Sequence, residues 1–157
     1  MEACSPEVLR ALQMAMQNEL DTVRIYRQML QYVKNTKTRD ILNRLIEEEY
    51  QHEKRIKDRF LQGGGKIPKN DGDYDLPNRE QLLDLELKNF TISELISLAI
   101  QNEKISRDFY QAQLNRVDNP HVKEVFRWLV EQEEEHIRNL QNERDSHSNY
   151  EEVNYPG

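Results

Sequence analysis

Four glutamates and two histidines recur in this chain with a spacing that suits metal binding. Each half of the sequence carries a lone glutamate followed by a Glu-x-x-His motif, and the second half repeats the first at an offset of 84 residues. The six residues are Glu19, Glu49, His52, Glu103, Glu133 and His136. A glutamate from each of two helices, together with Glu-x-x-His from each of two others, can hold two metal ions inside a four-helix bundle. The pattern therefore predicts a di-metal carboxylate site.

The register of these residues places them on helix faces that should be buried. Apolar residues recur at spacings of three and four along each predicted helix, which indicates a face turned toward a core. The metal-binding candidates fall near the middle of each face. The predicted buried faces comprise Leu12, Ala15, Glu19, Thr22, Tyr26, Met29 and Val33 in the first helix; Leu42, Leu45, Glu49, His52 and Ile56 in the second; Ile96, Ala99, Glu103, Ser106, Tyr110, Gln113 and Val117 in the third; and Val122, Phe126, Leu129, Glu133, His136 and Leu140 in the fourth.

Four carboxylates at one level of a core require compensating positive charge, because burying an unpaired carboxylate is costly. Two divalent cations would supply four positive charges while both histidines stay neutral. Residues three apart on a helix reach the same level of one face, so each Glu-x-x-His can serve one site. Imidazole and carboxylate donors suit Fe²⁺, and they also suit Mn²⁺ or Zn²⁺. We therefore expect two metal ions, with iron as the leading candidate.

Two tyrosines repeat together with the lone glutamates. Tyr26 follows Glu19 by seven residues, and Tyr110 follows Glu103 by the same spacing. Residues seven apart lie two turns along the same helix face. These tyrosines could donate hydrogen bonds to ligand carboxylates, supply electrons, or simply be core aromatics with satisfied hydroxyl groups.

The remaining acidic and imidazole side chains fall mostly off the buried faces, so we expect them to be solvated. Neither of the other two histidines has a matching partner in the opposite half. The residues predicted to be exposed are Glu47, Glu48, Glu53, Glu131, Glu134, Glu135, His121 and His147.

The positions of glycine, proline and capping residues, which begin or end helices, predict an all-α, antiparallel four-helix bundle. Helices are expected over residues 6–33 and 39–61, from Thr91 onward, and from Pro120 to about Arg144. Thr91-Ile-Ser-Glu94 has the form of a capping box, and Asn119-Pro120 supplies an N-cap and a first-turn proline. The predicted parts are a hairpin over 6–62, a crossover over 63–90, a hairpin over 91–144, and a tail over 145–157 that follows the domain of 1–144.

Composition narrows the classes of partner and location. The 157 residues carry a net charge of −7, which disfavours nucleic acid and anionic membranes as partners. No apolar run approaches the ~20 residues of a membrane helix, and the N-terminus shows no secretion signal. A single cysteine, Cys4, excludes an intrachain disulfide. A cytoplasmic location is the expectation.

Together, these residues resemble the rubrerythrin branch of the ferritin-like superfamily across residues 8–144. The lone glutamate followed seven residues later by tyrosine is typical of that branch. The resemblance implies a ferritin-like bundle that binds two iron ions. By that resemblance, Glu49 and Glu133 would bridge the two irons, and the other four candidates would bind one iron each. A homodimer is a further expectation from the resemblance.

Two features depart from rubrerythrins proper. Those proteins carry a four-cysteine rubredoxin domain that feeds electrons to the site, whereas this sequence contains only one cysteine. They also carry a glutamate three residues after the third-helix ligand, where this chain has Ser106. The ligand set instead resembles the symmetric set of simpler di-iron proteins, and the electron donor is expected to be external.

The leading functional hypothesis is a di-iron oxidoreductase that reacts with O₂ or H₂O₂, as a rubrerythrin-like peroxidase or a ferroxidase that protects against oxidative stress. Three alternatives remain open from the sequence. The protein could hydroxylate an organic substrate, resembling demethoxyubiquinone or tRNA-modifying di-iron enzymes. It could store iron, as ferritin cages do. It could also be a bundle with a purely structural metal, or an interaction module.

Overall fold

Four long helices make up the computed structural model, which describes residues 3–67 and 87–147. A single 3₁₀ turn, Leu87–Asn89, precedes the second pair of helices. None of the helices within these ranges is long and apolar enough to cross a membrane. The helices are α1, Pro6–Leu30; α2, Thr36–Gln62; α3, Ile92–Arg116; and α4, Pro120–His147.

Capping side chains set where the helices begin. Thr91 and Glu94 form the predicted capping box, with each side chain accepting a hydrogen bond from the other residue's backbone N–H. The Asn119 side chain accepts from the N–H groups of His121 and Val122 at 3.0 and 3.2 Å, as its predicted N-cap role requires. Both sequence predictions are confirmed, and each cap satisfies amides that lack a partner within the helix.

Helix ends differ from the predicted bounds by about one turn. α1 ends at Leu30 rather than at residue 33. α2 begins three residues early, because the Asn35 side chain accepts a hydrogen bond from the Thr38 N–H at 3.0 Å and so acts as its N-cap. α4 continues to His147, past the predicted end at Arg144. Most of the predicted crossover lies outside the described residues, and so do residues 148–157 of the tail.

The helices pack as two antiparallel hairpins, α1 with α2 and α3 with α4, and the hairpins meet through α1–α3 and α2–α4 contacts. The apolar core forms two clusters. One contains Tyr26, Leu45, Ile96 and Leu140, and the other contains Leu12, Phe60, Tyr110 and Phe126. Every residue of the predicted buried faces is buried, so the predicted helix register is confirmed. The six metal-binding candidates occupy the level between the two clusters.

Candidate metal centre

The six candidate ligands converge in the middle of the bundle as two overlapping groups of four. In each group, one ligand atom from every residue lies within 4.8 Å of the others. We call the two groups the His52 position and the His136 position. The His52 position consists of Glu19, Glu49, His52 and Glu133, and the His136 position consists of Glu49, Glu103, Glu133 and His136. Glu49 and Glu133 belong to both groups, so each can bridge two ions.

The Nδ1 atom of each histidine faces the carboxylates. At the His52 position, Nδ1 lies 3.3 Å from an oxygen of Glu133, 3.5 Å from one of Glu19 and 3.7 Å from one of Glu49. The His136 position is arranged in the same way. Its Nδ1 distances are 3.0 Å to Glu49, 3.5 Å to Glu103 and 4.0 Å to Glu133.

Burying these carboxylates without a cation costs free energy, because they are removed from water. The four glutamates are 0% exposed and the two histidines 2% exposed. Within the described residues, eight buried side-chain atoms of the six ligands make no hydrogen bond, including both oxygens of Glu49 and of Glu133. Buried polar atoms normally have partners. Oxygen and nitrogen atoms that converge without hydrogen-bonding one another suit a metal ion placed between them, so the residues fit the implied pair of ions.

Electrostatics favour proton retention on four of the six ligands when no cation is bound. Glu49 is different: burial would raise its pKa, but interactions with Glu19, His136 and His52 outweigh burial and lower it. Burial raises the pKa of Glu19 and of Glu133, and neighbouring carboxylates raise both further. Burial alone would lower the pKa of His52 and of His136, but the surrounding carboxylates outweigh it and raise both values. Protons therefore supply part of the positive charge that the carboxylates need, and a metal ion must displace them.

The two tyrosines hold ligands across the interface between the hairpins. The Tyr26 hydroxyl donates to Oε1 of Glu103, and the Tyr110 hydroxyl donates to Oε1 of Glu19 at 2.5 Å. Asn18 in turn donates to the Tyr110 hydroxyl at 2.8 Å. Burial, together with repulsion from the paired glutamate, raises the pKa of both tyrosines, so the hydroxyl groups stay protonated as donors. The geometry matches hydrogen-bond donation to ligand carboxylates, and it also places both rings in the apolar core; electron supply by the tyrosines stays a prediction.

Removing either hydroxyl should weaken metal binding. In Tyr26→Phe and Tyr110→Phe, one ligand glutamate loses the donor that orients it. Changes to groups that orient ligands typically reduce metal affinity 10–100-fold, so we expect at least about a tenfold loss in each variant. Competition between the protein and a colorimetric chelator for Co²⁺ measures this affinity. Tyr50→Phe is the control, because Tyr50 is 38% exposed and lies outside the cluster; equal affinities in all three variants would show that the hydroxyl groups do not support the ligands.

Glu48 is the residue near the centre that the sequence analysis missed. It was predicted to be solvated, but it is half-buried, and its Oε2 lies 2.5 Å from His136 Nε2. This hydrogen bond lowers the pKa of Glu48. A metal-bound histidine commonly donates its second ring N–H to a carboxylate. This rule predicts that some carboxylate accepts a hydrogen bond from His136. It does not identify Glu48 as that carboxylate, because the choice depends on which α2 side chain faces α4.

Two further histidines gave different outcomes. His121 is exposed, as predicted. The prediction that His147 is exposed was wrong, since it is 8% exposed and its Nε2 lies 2.8 Å from Oε1 of Glu143. The extension of α4 past Arg144 is the reason, because it places His147 one helical turn after Glu143 on a packed face. Neither histidine belongs to the metal-binding groups.

Known structures share this arrangement of helices. A mycobacterial bacterioferritin superposes with a TM-score of 0.70 at 17% identity, covering 94% of this chain and 88% of that chain. The bacterioferritin of Rhodobacter capsulatus gives 0.68 at 17% identity, covering 94% and 89%. A hypothetical protein from Pyrococcus furiosus gives 0.66 at 24% identity, covering 93% of each chain. At these identities the likeness establishes the ferritin-like fold alone.

Sequence comparison adds the family. No curated protein sequence matches the chain. The family model for rubrerythrin, however, matches residues 10–143. That match spans all six candidate ligands, both ligand-holding tyrosines and nearly the whole bundle. The chain therefore belongs to the rubrerythrin family.

Proposed function

We propose that the chain is a di-iron oxidoreductase that reacts with O₂ or H₂O₂ and receives electrons from an external donor. The observation that carries this proposal is the pair of four-ligand groups that share Glu49 and Glu133. Two shared carboxylates can keep two ions adjacent, which suits a two-electron reaction. Membership of the rubrerythrin family supports iron as the metal, although manganese or zinc would fit the same donors.

Two bound Fe²⁺ ions would supply one electron each, enough to reduce one H₂O₂ to two H₂O with the uptake of two protons. The chain's own residues contribute to this reaction by compensating charge, orienting the ligands and limiting water. Glu49 and Glu133 each lie within 4.0 Å of the Nδ1 atoms of both histidines and would counter the charge of two bound ions. Tyr26 and Tyr110 orient the two outer glutamates through hydrogen bonds. The flanking apolar clusters limit water at the site, which strengthens every electrostatic interaction there.

The surroundings of Ser106 support the symmetric ligand set. Its hydroxyl accepts a hydrogen bond from the Asn18 side chain at 3.1 Å, and it is fully buried. Thr22 occupies the equivalent place in the first half and accepts from Asn102 at 3.3 Å. Ser106 and Thr22 therefore place hydroxyl groups at the two positions where a further carboxylate would add a seventh metal ligand. The external donor, the homodimer and the cytoplasmic location stay predictions.

Rapid mixing of the anaerobic, Fe²⁺-loaded chain with H₂O₂, and separately with O₂, tests the proposal. We expect oxidation at least about tenfold faster than that of free Fe²⁺ in the same buffer, which corresponds to a barrier lower by about 1.4 kcal/mol. We also expect two Fe²⁺ consumed per H₂O₂. The faster oxidant distinguishes peroxidase from ferroxidase chemistry.

The control for this experiment is the double variant Glu47→Ala/Glu131→Ala. Both residues are exposed and precede the bridging glutamates by two positions in equivalent halves, so the variant should react like the native chain. Oxidation no faster than that of free Fe²⁺ would reject the proposal. Tight binding with a higher melting temperature but no reaction would favour a structural metal, and uptake far beyond two irons per chain would favour storage.

A further inference from the structure

The two histidines of the metal centre have different outer surroundings, although their inner surroundings match. The outer ring nitrogen of His136, Nε2, lies 2.5 Å from a carboxylate oxygen of Glu48. The His52 ring instead makes a T-shaped contact with the Trp128 ring, with centroids 5.1 Å apart and planes at 77°. Within residues 3–67 and 87–147, the contacts of His52 with carboxylates all involve Nδ1. The two positions are therefore not equivalent.

The difference originates in the sequence repeat. The offset of 84 residues that relates all six ligands also relates Glu48 to Gln132. The same offset relates Arg44 to Trp128. The two halves thus agree at the ligands and disagree at the places behind the histidines. A carboxylate lies at hydrogen-bond distance from the imidazole of α4, whereas the residue at the equivalent sequence position in the other half, Gln132, is a neutral amide.

Glu48 affects His136 through the second ring nitrogen. When Nε2–H donates to a carboxylate, the proton is held on that nitrogen and the lone pair is left on Nδ1. For His136, Nδ1 is the atom that faces Glu49 and Glu103, at 3.0 and 3.5 Å. A charged acceptor also makes the imidazole a stronger donor to a metal and fixes the orientation of its ring. Among the residues that the structure describes, the carboxylates near His52 face Nδ1, and none supports its outer ring nitrogen in this way.

We infer that Glu48 is a positioning residue that makes the two metal positions unequal, so that a divalent cation fills the His136 position before the His52 position. The inference rests on the metal centre that the proposed function requires, but not on any reaction with an oxidant. Loss of such a supporting carboxylate typically lowers metal affinity 10–100-fold. An affinity difference of that size between the two positions would produce ordered filling.

Stepwise filling alone would not test this inference. Because both positions share Glu49 and Glu133, the first cation partly neutralises the ligands available to the second, even in a symmetric site. The informative quantity is which position fills first. Trp128 reports on the His52 position, because it is the only tryptophan in the chain and its ring lies against His52. Paramagnetic Co²⁺ at the His52 position should quench Trp128 fluorescence more strongly than Co²⁺ at the His136 position.

The experiment adds Co²⁺ stepwise to the metal-free full chain and follows cobalt absorption, Trp128 fluorescence and the shifted imidazole N–H signals in proton NMR spectra. Three variants are compared with the native chain: Glu48→Gln, Gln132→Glu, and the exchange Glu48→Gln/Gln132→Glu. The exchange variant has the same composition and net charge as the native chain. Circular dichroism and metal-free melting temperatures establish that each variant is folded.

In the native chain we expect the first Co²⁺ to cause little quenching and the second to cause most of it. One imidazole N–H should exchange slowly with water, and Glu48→Gln should abolish that protection and weaken first-site binding at least about tenfold. The exchange variant should reverse the order of quenching. Early quenching in the native chain, or an order unchanged by the exchange, would overturn the inference while leaving the metal centre intact. Absence of cobalt binding would overturn both the inference and the proposed function.

Discussion

Replacing Glu49 and Glu133 together by alanine should lower the iron content from about two ions per chain to almost none. These two residues contribute to both metal positions, so their loss leaves each position with only one carboxylate and one histidine. No other pair of substitutions removes as many ligand contacts. Metal analysis after anaerobic reconstitution and removal of free iron measures the effect, with Glu47→Ala/Glu131→Ala as the control of equal composition.

The same variant should not lose its fold. It removes two carboxylates from the buried cluster and leaves both apolar clusters unchanged, so circular dichroism of the metal-free variant should show the helix content of the native chain. Binding to the folded state alone adds about 2.7 kcal/mol of stability when free metal is ~100 times Kd. The native chain should show that gain on loading, and the variant should not. Iron content that is unchanged in the variant would show that Glu49 and Glu133 do not bind the metal.

Much of this centre follows from helix periodicity. Glu19 and Glu103 lie on faces whose apolar residues recur at spacings of three and four, and both are fully buried. The Glu-x-x-His pairs obey the same spacing. Periodicity is reliable here because each helix is long and has one consistent face. Helix capping can be predicted from the sequence equally well, since the capping box at Thr91 involves only residues within one turn.

Contacts between helices were harder to predict from the sequence, because they depend on how far one helix is shifted along its neighbour. The sequence placed Tyr26 and Glu19 on one face of α1, but Tyr26 hydrogen-bonds Glu103 of the other hairpin. Glu48 illustrates the same point, since its partner His136 lies 88 residues away. The burial of His147 depended on an extra turn of α4, and the bounds of helices are the least reliable part of a sequence-based assignment.

The metal-free and metal-loaded forms should respond to pH in opposite directions. Glu19, Glu133, His52 and His136 all have a raised pKa in the metal-free fold. A raised pKa in the folded state means that this state binds more protons than the unfolded chain does. The stability that these groups contribute is fully present below their unfolded pKa values, about 4.3 for glutamate and 6.5 for histidine. It is lost as pH rises through the folded values.

Metal binding reverses this trend, because the ligands must release their protons. If all four raised groups are protonated before loading, two cations displace about four protons, or two per ion. Affinity should then rise by up to about 100-fold per pH unit for each ion. Between pH 6 and 8, the melting temperature should fall in the metal-free chain and rise in the Co²⁺-loaded chain. Proton release during loading, measured with an indicator dye in weak buffer, checks the same count. Release of fewer than one proton per ion, or parallel trends in the two forms, would mean that protons do not occupy the site that the metal takes.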